Sequence, residues 1–303
     1  MICSKNTAVF SGVDLDGPLR RENVNFNRLV MFWNGETPGN SYFALNLRIR
    51  FPGEEWEPWV KFGTWGREIS SKTLSPRGRK FRVAIDTLIA EENCEAFELG
   101  VETVPGKKGE KPLMFLMGAT FWNEEDIPAQ VDSVWTGEIP VPKRSQMVQD
   151  SSDRRVICSP TCLAMVMEYY GKDLPTLEVA EGVFDRGPGI YGNWPFNTAL
   201  AGNMGFPAFV HRLTGMGEAR EWLAAGTPLI ASIAYQKGEL TGAPQEKSNG
   251  HLVVITGFLQ ENGVEYVVTN DPAAPEEETV RRKYQREEFE RAWNRIAYIL
   301  FSH

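Results

Sequence analysis

The chain has four cysteines (Cys3, Cys94, Cys158, Cys162) and three histidines (His211, His251, His303), so nucleophilic chemistry can be sought among few residues. Cys158 lies in VICSPTCLAMVMEYYG, residues 156–171. There Leu163, Val166, Met167 and Tyr170 recur at i, i+3, i+4 and i+7, the apolar stripe of a helix. Ser159 suits the N-cap, Pro160 the first helical position, and Gly171 the residue after the C-cap. Cys158 is therefore expected immediately before a helix N-terminus. Unpaired N–H groups and the helix dipole favour an anion there, and the thiolate is the form in which cysteine attacks. A free thiol titrates near ~8.5, and such a setting or a neighbouring imidazolium brings it to ~3.5–7.5. The competing reading of Cys158 is an inert buried thiol. Cys162, one turn further on, reads as a small packing residue, because a C-x3-C pair without nearby ligands is not a zinc set.

A cysteine nucleophile needs an imidazole. His251 opens the run HLVVITGFLQENGVEYVVTNDP, which reads as two strands joined at Glu261-Asn262-Gly263. Such a hairpin brings the start of its first strand and the end of its second to one edge, so His251 falls near Asn270-Asp271. Counting about the turn sets His251 opposite a residue two or three beyond Asp271. A bulge at Gly257 or the bend at Pro272 must close that offset. A carboxylate on one ring nitrogen would fix the tautomer and hold the other nitrogen toward the thiol. Alternatively Asp271 only initiates an Asp-Pro turn. His211 has no such partner and reads as structural.

The elements that must hold these residues fall into two groups. Residues 1 to about 138 alternate as strands do: SYFALNLRIRF (41–51) puts Phe43, Leu45, Leu47, Ile49 and Phe51 on one face. Short runs follow at WVKFGTWG, FRVAIDTLI, AFELGVETV and LMFLMGATFW, separated by turn-rich segments that include EENC. This pattern predicts a sandwich or jelly roll. Six of the nine tryptophans lie here: Trp33, Trp56, Trp59, Trp65, Trp122 and Trp135. Exposed indoles would stack on sugars, whereas buried ones are core. After GEIPVP the pattern changes. LEVAEGVFD, NTALAGNMGF, GEAREWLAAG and REEFERAW favour helices, while PLIASIAY, HLVVITGFL, VEYVVTN and AYILF are β-rich, which suits an α+β domain. The polar connection QKGELTGAPQEKSNG (236–250) is either a flap or a surface loop.

At 303 residues two domains are expected, here 1–138 and 139–303. A net charge of -8 argues against nucleic acid or an anionic membrane as partner. No run of ~18 uncharged apolar residues is present, so membrane insertion is not expected. The opening residues lack a signal-peptide pattern, and a removed leader would leave no trace. G-x-G-x-x-G, P-loop and metal-ligand sets are absent, so neither cofactor nor metal is expected.

VPKRSQ, ICSPTCLAMVMEYYG, GHLVVITGF and VTNDPAAP, in this order, resemble the papain-like cysteine peptidases related to the double-glycine leader (bacteriocin-processing) peptidases, in their stand-alone bacterial form. The resemblance covers residues from about Pro140 to the C-terminus. MFWNGETPG, WVKFGTWG and VAIDTL resemble the β-sandwich that precedes this domain in some members. It implies an α+β chain in which a papain-like domain follows an all-β, jelly-roll-like accessory domain. It further implies Cys158 as nucleophile, His251 as general base and acid, Asp271 as its orienting group and Gln146 as side-chain oxyanion donor, with Gln149 the competing choice. Cys162 stands where relatives usually have serine, and Ser159 where many have glycine. The expected partner is a peptide or protein substrate, with cell-wall polysaccharide as a partner of the front half, and the expected location is extracellular or in the cell envelope. The alternatives are a catalytically silent glycan-binding relative and an amidase or acyltransferase acting on non-peptide bonds.

Overall fold

The alternation at 41–51 is realised as a strand, Tyr42–Arg50, whose inward Phe43, Leu45, Leu47 and Ile49 are fully buried and whose even-numbered residues face outward. The computed structural model describes residues 6–11, 17–126, 131 and 133–302, so Cys3 and His303 lie outside the described residues. Contacts group the chain into two units: residues 1–127 with 184–212, and residues 128–183 with 213–303.

In the first unit the strands are β1 (Thr7–Ser11), β2 (Leu19–Glu36), β3 (Tyr42–Arg50), β4 (Val60–Trp65), β5 (Lys72–Thr73), β6 (Phe81–Ala84), β7 (Thr87–Val104) and β8 (Leu113–Trp122). They form one antiparallel sheet in the order β1-β8-β2-β7-β3-β4-β5, with β6 on β7. β2 and β7 are 18 residues long, and register shifts interrupt their pairing between Glu22 and Arg28. EENC, expected as a turn, lies inside β7. Glu91, Glu92 and Asn93 point to solvent beside the irregular register while Cys94 is buried, so the polar run is a bulge rather than a chain reversal. FRVAIDTLI, conversely, is two strands, because the chain turns at Ile85-Asp86. Trp33 of β2 packs edge-on against Phe62 of β4 with ring centroids 6.2 Å apart. Those strands are three places apart in the sheet, roughly 14 Å if it were flat. The sheet therefore curls around its own apolar face.

The stretch 184–212 also packs on this core. It carries α3 (Trp194–Asn203) and β10 (Ala208–Arg212), after α1 and α2 described below. Phe196 and Ala199 join the apolar cluster, and Trp33 meets Phe196 edge-on. The division therefore differs from an uninterrupted cut near residue 138, because a stretch downstream of that cut buries its apolar face on the first sheet. Asp185 is the tie. Its buried carboxylate accepts from the N–H and Oγ1 of Thr73, the Gly187 N–H and Asn193 Nδ2. His211, in β10, is fully buried, with its Nδ1 3.0 Å from Thr7 Oγ1.

The second unit contains β9 (Gly137–Glu138), α1 (Cys158–Tyr169), α2 (Thr176–Val183), α4 (Met216–Ala224), β11 (Leu229–Tyr235), β12 (Ser248–Glu261), β13 (Val264–Asn270), β14 (Arg281–Gln285), α5 (Arg286–Ala292) and β15 (Trp293–Leu300). The strand order is β15-β11-β12-β13-β14, all antiparallel, with β9 on β12. β12 and β13 meet through Asn262-Gly263, both at positive φ, the two-residue hairpin turn that the pair favours. Among the described residues no helix is long and apolar enough to cross a membrane.

Replacing Asp185 with alanine strands three donors on the buried Thr73 and Asn193, together with the Gly187 N–H. We expect a loss of about 3 kcal/mol in unfolding free energy. Urea titration followed by tryptophan fluorescence checks this, and a loss below ~1 kcal/mol would show that Asp185 is not the tie.

Candidate active site

Helix α1 begins at Cys158 itself, two residues earlier than expected, since Ile157 and not Ser159 is the N-cap. The residue before it, Ile157, makes no side-chain cap, and Ser159 cannot cap because its Oγ is hydrogen-bonded to the buried Tyr298 hydroxyl. The helix end follows expectation: Gly171 has φ +90°, and the Lys172 N–H reaches back to the Met167 carbonyl. The helix is not amphipathic, since every residue from Ser159 to Met167 is buried. Its polar groups are satisfied locally. Thr161 Oγ1 donates to the Ile157 carbonyl at 2.7 Å and Cys162 Sγ to the Leu252 carbonyl at 3.3 Å. Cys162 is thus a packing thiol, and burial with the neighbouring Cys158 and Asp271 charges pushes it well above the ordinary thiol range.

His251, near the start of β12, is buried and pairs across the sheet with Ile233 of β11. The offset between His251 and Asp271 is closed in two steps. A bulge at Thr256, between Ile255 and Gly257, shifts the β12–β13 register by one residue. The rest is taken up by the turn at Pro272, where the Ala274 N–H returns to the Asp271 carbonyl. Gly257 is required at the bulge, because a Cβ there would lie 2.3 Å from the Gly137 carbonyl oxygen of β9.

The result is a buried chain of hydrogen bonds. Asp271 Oδ1 lies 2.7 Å from His251 Nε2 and accepts the Ala273 N–H at 2.9 Å, while Oδ2 accepts the Tyr284 hydroxyl at 2.7 Å. The remaining ring nitrogen of His251, Nδ1, is left for its hydrogen bond with Cys158. Burial pushes the Cys158 thiol up, but the His251 hydrogen bond and charge, with the N–H groups of Leu252 and Ser159, bring it below the ordinary thiol value. Burial likewise disfavours the His251 cation, yet the Asp271 charge and hydrogen bond, reinforced by Cys158, raise it to about 10. Asp271 is held below the usual carboxylate range, since His251 and Tyr284 outweigh its desolvation. Both shifts favour a thiolate beside an imidazolium.

Gln146 sits where the chain before α1 is stitched to the end of β13. Asn270 Nδ2 donates to the Val141 and Pro142 carbonyls, the Gln146 N–H to the Pro272 carbonyl, and Ser145 Oγ to the Ala274 carbonyl. The Gln146 side chain is fully buried, and neither Nε2 nor Oε1 has a hydrogen-bond partner. Gln149 differs, because its Nε2 donates to the Ser145 carbonyl. Tyr284 and Tyr298 escaped the sequence reading. The strand RRKYQ is short and polar, and nothing local marks its tyrosine as a partner of Asp271. The connection after β11 is anchored: Thr241 bonds Glu288 of α5 through both its N–H and Oγ1, and Lys237 pairs with Glu246.

Residues 138–300 match the Peptidase_C39 like family, and residues 4–120 match the Peptidase C39 N-terminal domain family. No curated protein matches the chain. Among solved structures, a Bacillus anthracis protein described as a C39-like peptidase is 18% identical, covering 55% of this chain and 98% of its own, with a TM-score of 0.40. The peptidase domain of Streptococcus ComA, a bifunctional ABC transporter involved in a quorum-sensing pathway, is 19% identical, covering 55% of this chain and all of its own, with a TM-score of 0.37. Because the first family match spans more than half of the sequence, this chain belongs to the Peptidase_C39 like family.

Proposed function

We propose that the second unit is a cysteine peptidase domain that hydrolyses peptide bonds through Cys158, His251 and Asp271, and that the first is an accessory β-sandwich made from one curled sheet. The observation that carries the reading is the continuous line from Asp271 through His251 to Cys158 at a helix N-terminus. Family membership makes a peptide the substrate class.

The Cys158 thiolate attacks the carbonyl carbon, forming the C–S bond while the carbonyl π electrons move to oxygen. That oxyanion is received by the Cys158 N–H, an orphan donor of the first turn, and by Gln146 Nε2. A buried amide without a partner is a group held for a ligand atom, whereas Gln149 is already committed to Ser145. As the tetrahedral intermediate collapses, the C–N bond breaks and His251 Nδ1–H protonates the leaving amine. Neutral His251 then takes a proton from water, the hydroxide adds to the thioester, and the C–S bond breaks to give the carboxylic acid and the thiolate. Asp271 keeps its proton off throughout, orienting the ring and stabilising its cation.

Limiting iodoacetamide near neutral pH should label Cys158 ahead of Cys94 and Cys162, because burial raises both of the latter and Cys94 to about 12. In His251→Ala the thiol loses the cation that lowers it, so Cys158 labelling should slow by about tenfold or more. Equal rates in the two proteins, read by mass spectrometry, would remove the Cys–His pair. The same shifts set the pH profile. Turnover falls on the acid side as the thiolate gains a proton, and on the alkaline side as His251 loses its own near pH 10. Asp271→Asn removes the charge that raises His251, so the alkaline limb should move toward lower pH. An unmoved limb of kcat/KM, on a peptide selected from a library, would deny Asp271 that role.

Gln146→Ala should lower kcat by about 10² to 10³ while leaving the rate of Cys158 alkylation unchanged. Gln149→Ala should stay within about twofold, and the opposite ranking would transfer the donor role.

A further inference from the structure

The outward face of the first sheet holds a concave site, about 510 Å³ in volume, floored by Asn46 of β3, Lys61 of β4, and Gly100 and Glu102 of β7, with Trp59 at its side. A neighbouring hollow of about 240 Å³ shares Asn46, Lys61 and Glu102 and continues along β3 to Tyr42. Together they form a trough, and Tyr42 to Asn46 alone spans roughly 14 Å of strand.

Trp59 is 40% exposed, although Trp33 and Trp65 in the same unit are core. The arrangement beneath it is fixed. The Arg48 guanidinium lies 4.8 Å from its ring centroid and is held from the other side by Glu98, a fully buried carboxylate that also binds Arg20. Arg48 does not line the trough whereas Trp59 does, so the cation fixes the ring from outside the hollow. The six-membered edge of the indole rests on Gly100, where a Cβ would lie 3.1 Å from Cζ3 and 3.3 Å from Cη2. The side chains of Asn46, Lys61 and Glu102 make no hydrogen bond or ion pair with any described residue.

We propose that this trough binds a pyranose oligosaccharide. Its equipment is one exposed aromatic face beside an uncommitted acceptor, an uncommitted donor and a side-chain amide that is both. A polyhydroxylated ring needs that set: its axial C–H face lies on the indole and its equatorial hydroxyls take the polar groups. The trough lies on a sheet face, where β3, β4 and β7 already use their main-chain groups on one another, so an extended peptide could not add as a strand. Lys61 and Lys72 against Glu102 leave the lining with a single net positive charge, too small a field by itself for a polyanion. The site concerns the first unit alone and stands whether or not the cysteine chemistry does.

The test is saturation-transfer difference NMR and fluorescence titration of the full chain with maltotetraose, cellotetraose and chitotetraose. At least one should bind saturably, with the transfer concentrated on ring protons. Trp59→Ala and Gly100→Val, which removes or displaces the indole, should each weaken that binding by about tenfold or more. Glu102→Ala, at an exposed position, gives the same readout without disturbing the sheet, and thermal melting reports whether each variant is folded. Failure of all three sugars to bind saturably, or undiminished binding by folded Trp59→Ala, overturns the proposal.

Discussion

The geometry around Cys158 and His251 depends on one buried carboxylate. Asp271 is fully enclosed, and an ionised carboxylate away from water costs several kcal/mol unless donors surround it. It has three: the His251 ring, the Tyr284 hydroxyl and the Ala273 N–H. Each comes from a different piece of chain, so satisfying one charge fixes the start of β12, the middle of β14 and the turn after β13 together. The position of the imidazole follows, and with it the state of the thiol. Loss of the carboxylate would let the ring turn and would leave two buried donors unpaired.

The Cys158 thiol is lowered by two sources of different reach. The backbone supplies two fixed N–H groups, Ser159 at the helix terminus and Leu252 of β12, while His251 lowers the thiol most and is itself raised chiefly by Asp271. Burial opposes both ions and also strengthens their attraction, since little water stands between them. The same enclosure that raises the Cys94 and Cys162 thiols thus leaves Cys158 below the ordinary thiol value. Partners, not depth, separate the three.

Period and local chemistry were legible in the sequence. The alternation of 41–51, the Asn262-Gly263 turn and the Gly171 helix end all act within a few residues, and each appears where the pattern put it. What could not be read was set by distant partners. Ser159 looks like a cap, but a tyrosine 139 residues away takes its hydroxyl. EENC looks like a turn, yet neighbouring strands carry it through as a bulge. The front tryptophans divide between core and surface according to which face of a curled sheet they fall on, and curl has no local signature. Cys158, His251 and Asp271 could be brought together because a hairpin links two of them at short range. Tyr284 stayed hidden because its only marker is a register set by β13.

Buried carboxylates anchor three separate places in this chain. Asp271 gathers donors at a turn, Asp185 at the start of the stretch that packs on the first sheet, and Glu98 beneath crossing arginines on the outer face of that sheet. Apolar packing tolerates many arrangements of similar volume. A charge that must find two to four donors tolerates few. In each place the carboxylate therefore selects one geometry from those the core would allow. Two of them fix a side chain at a set angle, Asp271 the buried His251 directly and Glu98 the exposed Trp59 through Arg48, which is what a reacting or binding group requires.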